Sequence, residues 1–213
     1  MRPTPTTTIV LASTNQGKVR EFSSLLAPFG VTVLSLTDFP DVPDVEETGT
    51  TFMENSLLKS RGISKATGLI AVADDSGLLV DALDGAPGVY SARYSKSSAK
   101  GVEKDQENTR LLLTNLQGIP MEQRTGRFFC AMSACTPQGA TITAEGAWEG
   151  HIALEPQGHN GFGYDPIFID NESGLTAANL DAASKNAKSH RGKAVANLLK
   201  QWPLFWQQWL NSL

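Results

Sequence analysis

The chain has 213 residues, 40% of them hydrophobic and 19% charged, proportions that exclude a disordered polypeptide and fit one large domain or two closely joined lobes. A net charge of -4 excludes a general pull toward nucleic acid, so an anionic ligand must be met by a few placed cations and amides. No stretch approaches the roughly 18 apolar residues of a membrane helix, the polar start Met1 to Thr8 does not read as a signal peptide, and Cys130 and Cys135 fit neither a redox pair nor a zinc knuckle, so a cytoplasmic protein is expected.

In chain order, Thr7 to Ala12 is a β-branched run of strand type, broken by the turn formers Ser13 to Gly17. Val19, Phe22, Leu25, Leu26 and Phe29 then line one face of a helix that Gly30 ends, and Val31 to Leu36 reads as a second strand. Thr37 to Thr50 is a loop with two prolines and five acids. A helix is expected from Thr51 to about Thr67, stopped by Gly68, and Leu69 to Ala73 is a buried strand that Asp74-Asp75-Ser76-Gly77 should interrupt before Leu78 to Val80 resumes it. Gly85-Ala86-Pro87-Gly88 is a tight turn, residues 95 to 105 read as a polar, mobile stretch, and Asn108 to Leu116 is helical. Phe128 to Ala134 and Ala140 to Ala147 form a hairpin through Pro137-Gln138-Gly139. A glycine-rich loop, Gly158 to Tyr164, precedes the apolar run Ile167 to Ile169, and helices close the chain near Ala177 to Leu180 and over Gly192 to Leu213, where Pro203 should kink or split the last one. Strands alternating with helices and followed by a hairpin argue for a mixed α/β fold.

Five segments could carry chemistry. Ser13-Thr14-Asn15-Gln16-Gly17-Lys18 stands between a strand and a helix, where unpaired amides and a partial positive charge suit phosphate. It is not a Walker loop, since the leading glycine is absent and Val19 replaces the magnesium-binding hydroxyl; an ordinary capped turn is the competing reading. In Asp74-Asp75-Ser76-Gly77, adjacent carboxylates beside an apolar strand cost stability unless paired. Magnesium is the economical partner, and strand geometry would turn only one of the two toward a substrate, leaving the other to cap Gly77 or position a cation. Glu46-Glu47 supplies a second carboxylate for such an ion, or else is a solvated loop cluster. In Gly161-Phe162-Gly163-Tyr164-Asp165, glycines expose an aromatic face on which a purine can stack, and Asp165 could accept from ring N–H groups; a tight turn with a core aromatic is the competing reading. Lys185, His190 and Arg191 are nitrogen donors suited to a 6-keto purine and hostile to the amino group of adenine, or else part of a solvated basic face.

These segments, with Phe52 and Asn55, Lys59, Gly85 to Gly88 and Ser91 to Tyr94, occur in the order found in the inosine triphosphate pyrophosphatases, also called the Ham1-like family, and the chain resembles that family from about residue 9 to residue 200. The resemblance implies an α/β fold with a long mixed central sheet and helices forming two lobes around a cleft. It implies magnesium-dependent cleavage of dITP, ITP and XTP to monophosphate and pyrophosphate, in a homodimer. By the same resemblance Ser13 to Lys18 hold phosphate and Lys59 reaches the triphosphate. Asp75 is general base and metal ligand, with Glu46 or Glu47 as the other metal carboxylate. Ser76 contacts substrate, Phe162, Gly163, Tyr164 and Asp165 form the base-stacking loop, and Lys185, His190 and Arg191 read the purine. Ala183-Ser184, in place of an acidic pair, and Lys188, in place of an aliphatic residue, depart from the family pattern. A related pyrophosphatase of the septum-inhibitor Maf type would instead carry Ser-Pro-Arg-Arg after the first strand, and a non-catalytic nucleotide sensor would not need the carboxylate pair.

Overall fold

The computed structural model describes residues 7–27 and 30–211. The first six residues, residues 28 and 29 and the last two residues lie outside it, and with them the expectations for Phe29 and for the end of the C-terminal helix. Among the described residues, six strands and five α-helices follow one another as β1 (Thr7–Leu11), α1 (Gln16–Leu26), β2 (Val31–Ser35), α2 (Phe52–Thr67), β3 (Ile70–Val80), α3 (Gly101–Asn115), β4 (Thr125–Cys135), β5 (Thr141–Ile152), β6 (Phe168–Asp170), α4 (Ala182–Lys188) and α5 (His190–Leu210). The strands are hydrogen-bonded in the order β2-β1-β3-β4-β5-β6. β1 runs parallel to β2 and to β3, and β5 pairs antiparallel with β6, so the sheet is mixed as expected. Two compact units divide the chain: residues up to Asp75 with Ala131–Glu145 and the chain from Ala194, and Ser76–Cys130 with Gly146–Lys193.

In the first unit, Val10, Ala12, Ala71 and Ala73 of the parallel strands pack with Ile63 of α2, and Leu36, Phe39, Val42 and Val45 close over them. α2 begins where its sequence says it should: Thr51 Oγ1 accepts from Glu54 N at 3.1 Å, and Glu54 returns a carboxylate oxygen to Thr51 N at 3.1 Å, the reciprocal capping box. A buried hydroxyl ladder seats the helix, Ser56 meeting Ala73 O at 3.0 Å and Ser133 Oγ at 2.8 Å, and Ser133 meeting Ser60 Oγ at 2.8 Å. In the second unit, Leu78, Val80, Leu112, Leu116, Phe128, Trp148, Tyr164 and Phe168 form the core.

Several sequence expectations needed correction. β3 is one uninterrupted strand through Asp74 and Asp75, because its ladder continues where the side chains turn polar. α3 starts at Gly101, not Asn108: its first two turns are polar and leave no apolar period to detect, and they take in much of the stretch read as mobile. The first hairpin strand is longer at both ends, the second begins at Thr141 and runs on to Ile152, and the turn closes through Thr136 N to Ala140 O at 2.9 Å. α5 starts at His190 and runs through Pro203 to Leu210. Proline removes the bond to the carbonyl of Leu199, but burial of Phe205 and a ring series of Trp202, Phe205, Trp206 and Trp209 hold the helix beyond it.

α5 also shields a sheet edge. β6 covers β5 only at Gly150–Ile152. Farther along β5, Lys193 Nζ, Asn197 Nδ2 and Gln201 Nε2 donate to the carbonyls of Ala147, Glu145 and Thr143 at 2.9, 3.0 and 2.7 Å. Four helical residues rise about 6 Å and two strand residues about 6.7 Å, so the two spacings match. Side chains thereby pair edge carbonyls that would otherwise invite another strand.

Candidate active site

Successive side chains of a strand leave by opposite faces, and the continuity of β3 makes this decisive for Asp74 and Asp75. Asp74, 2% exposed, receives Lys18 Nζ of α1 on both oxygens, at 3.1 and 3.0 Å. Asp75 turns to α2: Asn55 Nδ2 donates to its Oδ2 at 3.0 Å and Lys59 Nζ stands 3.9 Å from its Oδ1. Lys59 Nζ also donates to the backbone oxygen of Asp74 at 2.6 Å and to Glu47 Oε1 at 2.9 Å. Of the pair left open by the sequence, Glu47 is therefore the carboxylate gathered with Asp75, while Glu46 is exposed.

Burial raises the Asp75 carboxyl above the ordinary range and the neighbouring Glu47 adds to this, while Lys59, Asn55 and Lys18 offset only part of it. Burial would lower the Lys59 ammonium, but Asp74, Asp75 and Glu47 outweigh it and hold the group above its usual value. The corner thus combines a carboxylate short of positive charge with a cation held among oxygens.

Asn55 is the residue whose role sequence reasoning missed. It is fully buried, and its one amide does two jobs: Nδ2 holds Asp75, and Oδ1 accepts from Gly49 N at 2.8 Å, tying down the loop that carries Glu47. A Cβ on Gly49 would lie 2.7 Å from Asn55 Oδ1, so only glycine allows this approach. The spacing Glu47-x-Gly49 followed six residues later by an asparagine was the available signal.

The segment Ser13 to Lys18 forms the capped turn that was its competing reading. Asn15 caps α1, its Oδ1 accepting from Gly17 N at 2.8 Å and Lys18 N at 3.3 Å, and Ser13 Oγ accepts from Asn15 N at 3.1 Å. Two amides expected to face phosphate are thus engaged by Asn15. Thr14, Asn15 and Gln16 remain exposed, and the side chain of Lys18 enters the carboxylate corner.

The second unit carries the aromatic and donor-bearing residues. Ser76, partly exposed, is the next residue of β3. The ring of Phe162 is 44% exposed, with Lys185 Nζ 5.3 Å and the Arg191 guanidinium 6.0 Å from its centroid. Asp165 is buried and shapes this loop from within, accepting from Phe162 N and Lys185 Nζ, each at 2.7 Å. A Cβ at Gly161 would collide with the same carboxylate. Asp165, read from the sequence as an acceptor for a purine, is here engaged by its own loop and by Lys185. Tyr164 is buried, its hydroxyl donating to Ser91 O at 2.9 Å. Of the three expected purine readers, Lys185 and Arg191 meet at the Phe162 ring, whereas His190 stacks on Phe128 at 4.9 Å.

The two departures from the family pattern have structural work. Ser184 completes the Asp181 cap of α4, donating N and Oγ to its carboxylate at 2.9 and 2.7 Å. Lys188 pairs with Asp170 at 2.9 Å and Glu172 at 2.8 Å.

Among the described residues no three His, Cys, Asp or Glu converge on one point as a ready metal cage. The donor set fits a hard cation that takes part of its shell from phosphate and water: Asp75 and Glu47 offer carboxylate oxygens around a position that already attracts the Lys59 ammonium.

Comparison with known proteins places this geometry in context. The Ham1 family model matches residues 9–201. The chain is 58% identical over 202 residues to a dITP/XTP pyrophosphatase of Nitratidesulfovibrio vulgaris, covering 94% of this chain and 98% of the relative. It is 50% identical over 194 residues to a dITP/XTP pyrophosphatase of Geobacillus kaustophilus, covering 91% of this chain and 93% of the relative. Among solved structures it is similar to a HAM1 protein from Coxiella burnetii, with a TM-score of 0.81, 44% identity, and coverage of 90% of this chain and 96% of the other.

Proposed function

The chain belongs to the Ham1 family, and on that premise we propose that it hydrolyses dITP, ITP and XTP to the monophosphate and pyrophosphate with magnesium, as a cytoplasmic homodimer. The observation that carries the reading is the buried corner in which Lys59 joins Glu47, Asp75 and the backbone of Asp74, with Lys18 on Asp74. The printed names of the relatives support the substrate class. No helix among the described residues is long and apolar enough to cross a membrane.

In this reading Lys18 and Lys59 hold the triphosphate, exchanging some of their carboxylate contacts for phosphate oxygens and orienting the α-phosphorus for in-line attack. Asp75 orients the attacking water and takes its proton, a role suited to a carboxyl whose affinity for protons burial has increased. Asp75 and Glu47 are the residues that would hold magnesium, whose charge neutralises that developing on the phosphoryl oxygens and on departing pyrophosphate. Phe162 offers a stacking face, and Lys185, Arg191 and His190 donate toward a 6-keto group. Against adenine the same donors meet an amino group, and buried donors left unpaired are costly.

Pyrophosphate release from dITP, ITP, XTP, dGTP, dATP and dUTP in the presence of magnesium tests the proposal. Turnover of dITP, ITP and XTP is expected to exceed that of dATP by at least ~100-fold in kcat/KM. Equal release from dATP, or none from the deaminated purines, would overturn it.

A further inference from the structure

The loop of Phe162 is braced from outside as well as from within. Asp105, in the second turn of α3, accepts from Gly163 N through Oδ2 at 2.9 Å. Thr109, one helical turn later, directs Oγ1 to Gly163 O at a longer 3.5 Å. Residues four apart lie on one helix face, so the pair addresses both main-chain polar groups of the residue after Phe162. The same helix fixes the neighbouring segment: Asn108 Oδ1 accepts from Ser95 N at 2.8 Å, and its Nδ2 donates to Ser91 O and Ala92 O at 3.3 and 3.2 Å. Tyr164 OH joins the two segments through Ser91 O. Gly163 has a left-handed φ of 62° and nothing within 4 Å of a would-be Cβ, so bonds and not packing hold its backbone.

We propose that Asp105, assisted by Thr109, is a positioning residue for base recognition, clamping Gly163 so that the Phe162 ring is presented at a fixed tilt beside Lys185 and Arg191. The inference rests on the reading of Phe162 as the purine-stacking surface. A ring 44% exposed on a loop with two left-handed glycines has little packing to orient it. A platform ordered before the ligand arrives spares the binding step that ordering cost. The clamp lies wholly within the second unit, so its loss should weaken binding of the base and spare the chemistry.

The test compares Asp105→Ala, Asp105→Asn and Thr109→Val with the wild type. It measures kcat and KM for dITP, inhibition by inosine monophosphate and by inorganic tripolyphosphate, and the unfolding midpoint. Asp105→Ala should raise KM for dITP and the inhibition constant of inosine monophosphate ~10-fold, the loss of about one charge-assisted hydrogen bond. Its kcat and its affinity for tripolyphosphate should stay near wild type. Asp105→Asn keeps an acceptor for Gly163 N and should restore most of the loss. Thr109→Val, a near-isosteric change, should move the same two constants by a smaller factor and serves where Asp105→Ala folds poorly. Unchanged inosine monophosphate binding in both Asp105→Ala and Thr109→Val, equal loss of both inhibitors, or an Asp105→Asn variant as weak as Asp105→Ala would overturn the clamp. A Phe162→Ala control that binds inosine monophosphate like wild type would instead overturn the stacking reading beneath it.

Discussion

Asp75→Asn is expected to lower kcat for dITP by at least the ~10²–10⁴-fold typical of a lost general base, while the protein still folds. The substitution is close to isosteric, and its amide oxygen can still accept from Asn55 Nδ2, now 3.0 Å from Asp75 Oδ2. The amide nitrogen would then face Lys59, whose ammonium stands 3.9 Å from Oδ1, replacing attraction by repulsion. Two functions disappear together: the proton acceptor and half of the carboxylate pair that suits magnesium. Saturating the assay with metal and nucleotide separates them, because weakened metal binding is recovered by concentration and a missing base is not. Turnover within about threefold of wild type would refute the assignment of Asp75, given the size of a general-base effect.

Asp170→Ala is expected to cost stability on the order of 3 kcal/mol, through groups left unpaired in the core of the second unit. The Asp170 carboxylate, 2% exposed, accepts from Trp148 Nε1 at 2.8 Å, Ser173 N at 3.0 Å, Ser173 Oγ at 2.8 Å and Lys188 Nζ at 2.9 Å. Burial alone would raise this carboxyl, but Trp148, Lys188 and Ser173 together hold it well below the usual carboxylate range. The folded value lies below the unfolded value of about 3.9. The contribution is therefore complete above that pH and is lost as pH falls from there toward the folded value. Urea unfolding at pH 7 should show the full gap between wild type and Asp170→Ala. The gap should narrow as the pH is lowered below about 4, because only the wild type loses this term. A gap of under about 1 kcal/mol at pH 7 would contradict the account, since one orphaned buried donor already costs that much.

The parts of the fold legible in the sequence are those where local chemistry and burial agree. Thr51-x-x-Glu54 ahead of an apolar face announces α2, and the capping box is present. Thr7 to Ala12 and Val31 to Leu36 read as strands, and the strands found there, Thr7–Leu11 and Val31–Ser35, pair in parallel. Where polar residues occupy regular structure the sequence misleads: Asp74 and Asp75 sit within a continuous strand because Lys18, Asn55 and Lys59, all distant in sequence, arrive to meet them. α3 hides its start for the same reason, and the residue that matters most there, Asp105, lies in the polar turns. α4 escaped notice because a seven-residue helix with no buried member has no hydrophobic period; only the Asp181 cap marks it.

The site was legible as residue types and less so as contacts. Lys18, Lys59, Asp75 and Glu47 come together, and Lys185, Arg191 and Phe162 do so in the second unit. No spacing rule foretells that Asn15 occupies amides of its own turn, that Asp165 is engaged by Phe162 N and Lys185, or that Asn55 links an acidic loop to Asp75. Each depends on which neighbour arrives first with a matching donor, which is a tertiary fact.

Hydrolysis of dITP by the wild-type enzyme in oxygen-18 water, with mass analysis of both products, tests attack at the α-phosphorus most directly. One labelled oxygen in the deoxyinosine monophosphate and none in pyrophosphate is the result expected of a carboxylate-activated water. Label in pyrophosphate, or release of inorganic phosphate and a diphosphate, would contradict it.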